Sequence, residues 1–208
     1  MIKHMTHDPL LKYREQHKHR LNYMPWLYWT LKPKHREWAE AWQAEYQAYL
    51  MEMETVEIGH NCFISPLAHI FAERGRKITI GDNTFIAADC TLHGPLEIGN
   101  EVAINHHCIL DGGRTGIKLH DQVRIAAYSH LYAFDHGVEL DRPIYQQPVT
   151  SKGIEIGRDV WLGAHVGIKD GVKVGDYAVV GMNSMVTKNV EEYSIVAGNP
   201  ARFIRYRK

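Results

Sequence analysis

Residues 131–153 read LYAFDHGVELDRPIYQQPVTSKG and place one histidine, His136, among the carboxylates Asp135, Glu139 and Asp141. An imidazole with a reference pKa of about 6.5 is neutral often enough near pH 7 to accept a proton, which is general-base chemistry. Sequence adjacency makes none of the three carboxylates its partner, and Asp135 should point elsewhere. The chain holds 14 histidines, which raises a metal reading. A catalytic zinc site needs three converging ligands and an open position. His130 and His136 are six residues apart, and no third histidine repeats the pattern downstream. Cys62, Cys90 and Cys108 form no CxxC pair, and their odd number argues against a disulfide framework. Two further features bear charge: Asp111 in CILDGG, and the basic run Arg202, Arg205, Arg207 and Lys208, whose ordinary meaning is a solvated tail.

Whatever positions these groups must be built from 208 residues with 24 basic and 24 acidic side chains. One domain with a sizeable core fits that length. Zero net charge removes the electrostatic case for nucleic acid, which needs a basic face to displace counterions. The sequence shows no apolar run long enough for a membrane span and no export signal, so the expectation is a soluble cytoplasmic protein.

The positioning element is a repeat. Aliphatic anchors fall at Ile58, Ile64, Ile70; Ile80, Ile86, Leu92; Ile98, Ile104, Leu110; Leu119, Ile125, Leu131; Ile156, Leu162, Ile168; and Val174, Val180, Val186. Spacing within each triplet is six, and every irregularity follows a third anchor. Three hexads per turn make a triangular coil whose anchors point inward and stack. The chain therefore predicts an all-β solenoid of about six triangular coils, with all insertions leaving at one corner. The longest, residues 132–153, contains His136. Four places after most anchors stand small or β-branched residues, the three cysteines included, which suits crowded buried positions. Glycines directly after anchors (Gly59, Gly81, Gly99, Gly157, Gly163, Gly175, Gly181) suggest corners with unusual backbone angles.

Residues 34–53 change period. Trp38, Ala41, Trp42, Tyr46, Tyr49, Leu50 and Met53 recur at three and four after Pro33, predicting an amphipathic helix. With the aromatic-rich LNYMPWLYWTLKP before it, residues 1–55 form a helical segment suited to capping the open first coil. The β-helix is expected over 56–190 and a basic tail over 191–208.

The stretch IEIGRDVWLGAHVGIKDGVKVGDYAVVGMNSMVTKNVEEYSIVAGNPARFIR resembles hexapeptide-repeat acetyltransferases, particularly the galactoside and maltose O-acetyltransferase branch. The resemblance spans roughly residues 56–206 and rests on VWLGA, VVGMNS, VTK and AGNPAR in combination. It implies a left-handed parallel β-helix working as a homotrimer, with acetyl-CoA as acyl donor and no metal. It implies His136, sixth in its hexad, as general base, and Asn105, directly after Ile104, as the polar group at the reacting thioester. For the cofactor it implies Trp161, Gly163, Ala164, Met182, Thr187, Lys188, Arg202 and Arg205, cations there facing phosphates. Met182 stands where the family usually has a small residue. Asp111 lies a position or two before the family's acidic acceptor-binding residue, and a corner-turn role is its alternative.

The activity so implied is O-acetylation of a hydroxyl on a sugar or saccharide precursor. Rival readings are a xenobiotic acetyltransferase on the same fold, a zinc carbonic anhydrase-like protein, and a non-catalytic β-solenoid scaffold. The N-terminal segment differs from that of the galactoside and maltose enzymes, so their small-glycoside specificity is not carried over.

Overall fold

A computed structural model describes residues 10–208; the first nine residues of the N-terminal segment lie outside it. Two helices, α1 (Leu11–Tyr23) and α2 (Pro33–Met53), flank a 3-10 turn at Pro25–Thr30 and precede a parallel β-helix. The first sheet stacks Val56–Ile58 under five successive strands, ending at Lys173–Val174; the second begins at Phe63–Ile64 and the third at His69–Phe71. The anchors pair in register: Ile58 with Ile80 and Ile98, Ile64 with Ile86 and Ile104, Ile70 with Leu92 and Leu110. Every anchor except half-buried Ile58 is buried. At about 1.5–3 kcal/mol per buried aliphatic side chain, this interior ladder is the main stabilising element.

The buried fifth-position residues do more than fill space. Cys62 donates to the Gly81 carbonyl at 3.0 Å, Thr84 to Gly99 at 2.9 Å, Cys90 to Asn105 at 3.0 Å, and Ser129 to Gly163 at 2.9 Å. Each hydroxyl or thiol satisfies a turn carbonyl of the next coil, a group that burial would otherwise leave unpaired. The Cys108 thiol beside it, together with burial, pushes the Cys90 thiol far up, and burial raises Cys62, so both stay protonated.

The corner glycines correct one expectation. None of the seven after anchors has a positive φ; the left-handed residues stand two places later, at Asn83, Asp89, Glu101, His107, Tyr128 and their equivalents. Gly163 is needed because a Cβ there would stand 2.7 Å from the Met182 backbone nitrogen. Coil spacing, rather than a turn angle, demands glycine.

Both ends are closed by ordered structure. In α2, Gln43 is 1% exposed; its amide donates to the Ile64 carbonyl at 3.1 Å and accepts from the Ile64 N–H at 2.8 Å. One side chain thus replaces the missing strand below the first coil. Leu21, Tyr28, Trp29, Trp38 and Trp42 pack on Phe63, Phe85 and Ala103, which point outward from the second sheet. At the other end, the chain continues into part of a seventh coil. Val190 bridges Val174, and Ser194–Ala197 pairs with Val179 and Val180. Arg202–Tyr206 then runs back antiparallel along Ser194–Ala197. The basic tail is therefore not simply solvated; it is a strand that covers the open edge of the second sheet.

Candidate active site

The corner between the third and first sheets carries the insertions, and the longest of them is well built. Asp135–His136 pairs antiparallel with Val149–Thr150, placing His136 opposite Val149. Asp135 indeed points elsewhere, to Lys169 at 3.0 Å. Buried Gln147 organises the tip by donating to the carbonyls of Glu139 and Arg142, both at 2.8 Å. Buried Asp170 accepts from the N–H groups of Lys152 and Gly153 where the loop returns. His136 itself is exposed, and its ring lies edge-on to Phe134 at 6.3 Å. Asp141 pairs with Arg142, so none of the three nearby carboxylates orients the imidazole through a hydrogen bond.

Beside His136 is a cavity of about 320 Å³ lined by Arg76, His93, Asp111, Arg114, Phe134, Val149 and Ser151, with Gly113. His136 is not itself a lining residue, but Phe134, two residues before it, and Val149, its cross-strand partner, both are. Asp111, separated from His136 by 25 positions in sequence, lines the same cavity as Phe134 and Val149. Its carboxylate accepts from the Gly113 N–H at 3.0 Å and contacts His93 Nδ1 at 3.4 Å and Arg76 at 3.7 Å. Glu73 completes this network through Arg76 at 3.1 Å and His93 Nε2 at 3.2 Å. Its own backbone N–H and the His93 ring hold the Glu73 carboxyl below the usual range. No sequence motif singles out His93, Arg76, Arg114, Phe134, Val149 or Ser151: His93 directly follows an anchor, Arg76 and Arg114 come from two short insertions, and the other three come from the long one.

Asn105 lies on a different edge. It follows strand Ala103–Ile104 of the second sheet, at the corner with the third, and its amide donates to the Ile125 carbonyl at 2.8 Å. Stacked in the same column are Ala126, Gly163 and Gly181, linked by backbone bonds from coil to coil. Ala164 and Met182 stand one place further on, and Trp161 projects from the second sheet, 54% exposed. Just outside the column, Tyr128 is stacked between His107 at 4.7 Å and His165 at 4.9 Å. On the N-terminal side of Asn105, α1 is fastened by Tyr23, which donates to Asp89 at 2.8 Å. Burial, reinforced by neighbouring His107, lowers the pKa of His106 and favours its neutral form.

The remaining residues implied for the cofactor divide again. Thr187, Lys188 and Arg202 line a cavity of about 400 Å³ at the end of the last coil. Arg205 is not part of it and donates to the Tyr206 carbonyl. Two cationic side chains converging on one cavity are a donor set suited to phosphate groups. Among the described residues, no three His, Cys, Asp or Glu side chains converge as a metal-holding group, and no helix is long and apolar enough to cross a membrane.

The triangular parallel β-helix of hexads is the fold of solved hexapeptide-repeat acetyltransferases. In sequence and in fold the chain resembles the hexapeptide-repeat acetyltransferases. Residues 153–188 match the family model for bacterial transferase hexapeptide (six repeats). The chain is 29% identical over 165 residues to galactoside O-acetyltransferase of Escherichia coli, covering 78% of this chain and 70% of that one. It is 50% identical over 125 residues to chloramphenicol acetyltransferase of Morganella morganii, covering 56% of each. It also resembles the solved hexapeptide-repeat acetyltransferase VCA0836 of Vibrio cholerae complexed with acetyl coenzyme A, with TM-score 0.58 and 26% identity over 96% of this chain and 88% of that one. The match spans 25% to 62% of the length of the first three curated relatives.

Proposed function

We propose that this protein transfers an acetyl group from acetyl-CoA to a hydroxyl of a saccharide or saccharide precursor. The observation that carries this reading is the cavity lined by Phe134 and Val149, the neighbours of His136, together with Arg76, His93, Asp111 and Ser151. A hydroxyl seated there loses its proton to the His136 imidazole as its oxygen attacks the thioester carbonyl. The tetrahedral centre then collapses, the C–S bond breaks, and the proton passes from His136 to the departing CoA sulfur. Asn105 supplies an amide donor for the developing oxyanion. Lys188 and Arg202 meet CoA phosphates, while Gly163, Ala164 and Met182 offer a low wall to the pantetheine arm.

His136 and Asn105 occupy opposite edges of the third sheet in one chain, so the reading requires a second copy. Edges of different kind meeting head to tail generate a ring where the rotation between copies closes. Three copies would give three composite sites, each taking His136 from one chain and Asn105 from its neighbour.

Xenobiotic acetylation is the second reading, favoured by the higher identity to the Morganella morganii chloramphenicol enzyme, 50% against 29%. Three of the cavity's lining side chains form ionic contacts and one is a serine, an arrangement better suited to a polyhydroxyl acceptor than to a largely apolar drug. The test is release of free thiol from acetyl-CoA with sugars, nucleotide sugars and chloramphenicol as acceptors. Turnover confined to chloramphenicol would replace the first reading with the second. No release with any acceptor, together with no stabilisation by CoA, would indicate a scaffold.

A further inference from the structure

The cavity beside His136 contains an ionic imbalance. Arg76 is committed to Glu73 and Asp111, and His93 lies between the same two carboxylates. Ser151 is also occupied: its hydroxyl donates to the Ala133 carbonyl at 2.6 Å and accepts from the N–H groups of Arg114 and Thr115, both at 3.0 Å. Arg114 is different. Its backbone is pinned by Ser151, yet its guanidinium makes no hydrogen bond or ion pair with the described residues. It lines the cavity together with Phe134 and Val149. A guanidinium offers five donors in a planar fork that matches a carboxylate or phosphate.

We propose that Arg114 makes this cavity selective for an acceptor that carries an anionic group, a phosphate or a carboxylate, as well as the hydroxyl to be acylated. The inference rests on the acetyl-transfer reading for its chemistry but not for its binding. The anion docks on Arg114, and the Asp111 carboxylate, fixed by Gly113, His93 and Arg76, receives a neighbouring hydroxyl. That pairing sets which hydroxyl reaches His136. Because Arg114 is held by its backbone rather than by an ion pair, its head group is available without first breaking another contact.

The experiment compares kcat/KM for a set of neutral hexoses with their 6-phosphates and their uronates, in wild type, Arg114→Ala and Arg114→Lys. At least one anionic series should exceed its neutral counterpart by about tenfold or more, the range of one charge-assisted contact. In Arg114→Ala the anionic-to-neutral ratio should fall toward one, and Arg114→Lys should restore part of it. The phosphate and uronate arms distinguish which anion is recognised. Equal use of neutral and anionic acceptors by wild type, or a preference untouched by Arg114→Ala, overturns the proposal. Should no acceptor be acetylated, titration calorimetry with the same sugar phosphates and uronates decides: Arg114-dependent binding supports the proposal, and its absence refutes it. CoA binding, followed separately, reports on acetyl transfer itself.

Discussion

His136 faces Val149 across the two-residue antiparallel ladder of the long insertion, and Val149 lines the cavity that also contains Asp111. The pairing makes the insertion an ordered arm that holds the His136 imidazole next to residues lining that cavity. A loop tolerated by the solenoid would need neither the ladder nor the Gln147 and Asp170 contacts that brace it.

His136→Ala should lower kcat by about a hundred- to ten-thousandfold, the usual contribution of a general base, with KM for acetyl-CoA nearly unchanged. The residue is exposed, so the melting temperature should stay within experimental scatter. Steady-state thiol-release kinetics check it; wild-type kcat in the variant would remove His136 from the mechanism.

His136→Ala and Asn105→Ala should complement each other when coexpressed. If each site combines the two residues from neighbouring copies, random mixing should regain about a quarter of wild-type activity. Light scattering would give the copy number in parallel. Complementation absent from a verified hybrid ring would place both residues in one chain's site.

Lys188→Ala and Arg202→Ala should each weaken CoA binding by about tenfold at low salt and leave kcat at saturation little changed. The loss should shrink as ionic strength rises, because screening weakens the same contacts in wild type. Titration calorimetry at two salt concentrations is the measurement.

Gln43→Leu should destabilise the protein by about 2–4 kcal/mol, since it leaves two backbone groups of Ile64 buried and unpaired. Gly163→Ala should cost about 1–3 kcal/mol by forcing adjacent coils apart at Met182. Chemical denaturation separates both from effects at the site, and an unchanged midpoint in either variant contradicts the contact behind it.

Glu155 accepts from His120 at 3.0 Å and pairs with Lys173 at 3.0 Å, and these two contacts, His120 foremost, hold its carboxyl below the usual range. A depressed acid stabilises the fold above its unfolded pKa of about 4.3, and that contribution disappears as pH falls through the lower folded value. Because the group is partly exposed, Glu155→Gln should cost only about 0.5 kcal/mol at pH 7. Melting curves across pH should show the gap between variant and wild type closing in acid.

The six-residue rhythm was enough to place every anchor, the fifth-position fillers and the corner from which insertions leave. That pattern is local: each inward position is written in its own hexad, and stacking equal hexads leaves little other choice. The α2 helix was equally legible from its period and Pro33. Contacts between segments of different type were not. Gln43 reads as an ordinary helix glutamine until Ile64 is folded against it, and Arg202–Tyr206 reads as a basic tail until the chain turns back on Ser194–Ala197. The glycines after anchors were found correctly but given the wrong cause, since their neighbour lies a whole coil away. The site follows the same division. By itself the sequence determined that His136 departs from the coil and that Asn105 follows an anchor. Only tertiary structure decided that Arg76, His93, Asp111, Arg114, Phe134 and Val149 share one cavity beside His136, and that Asn105 stands on another edge. A period specifies what points inward, whereas a pocket depends on where irregular segments come to rest against one another.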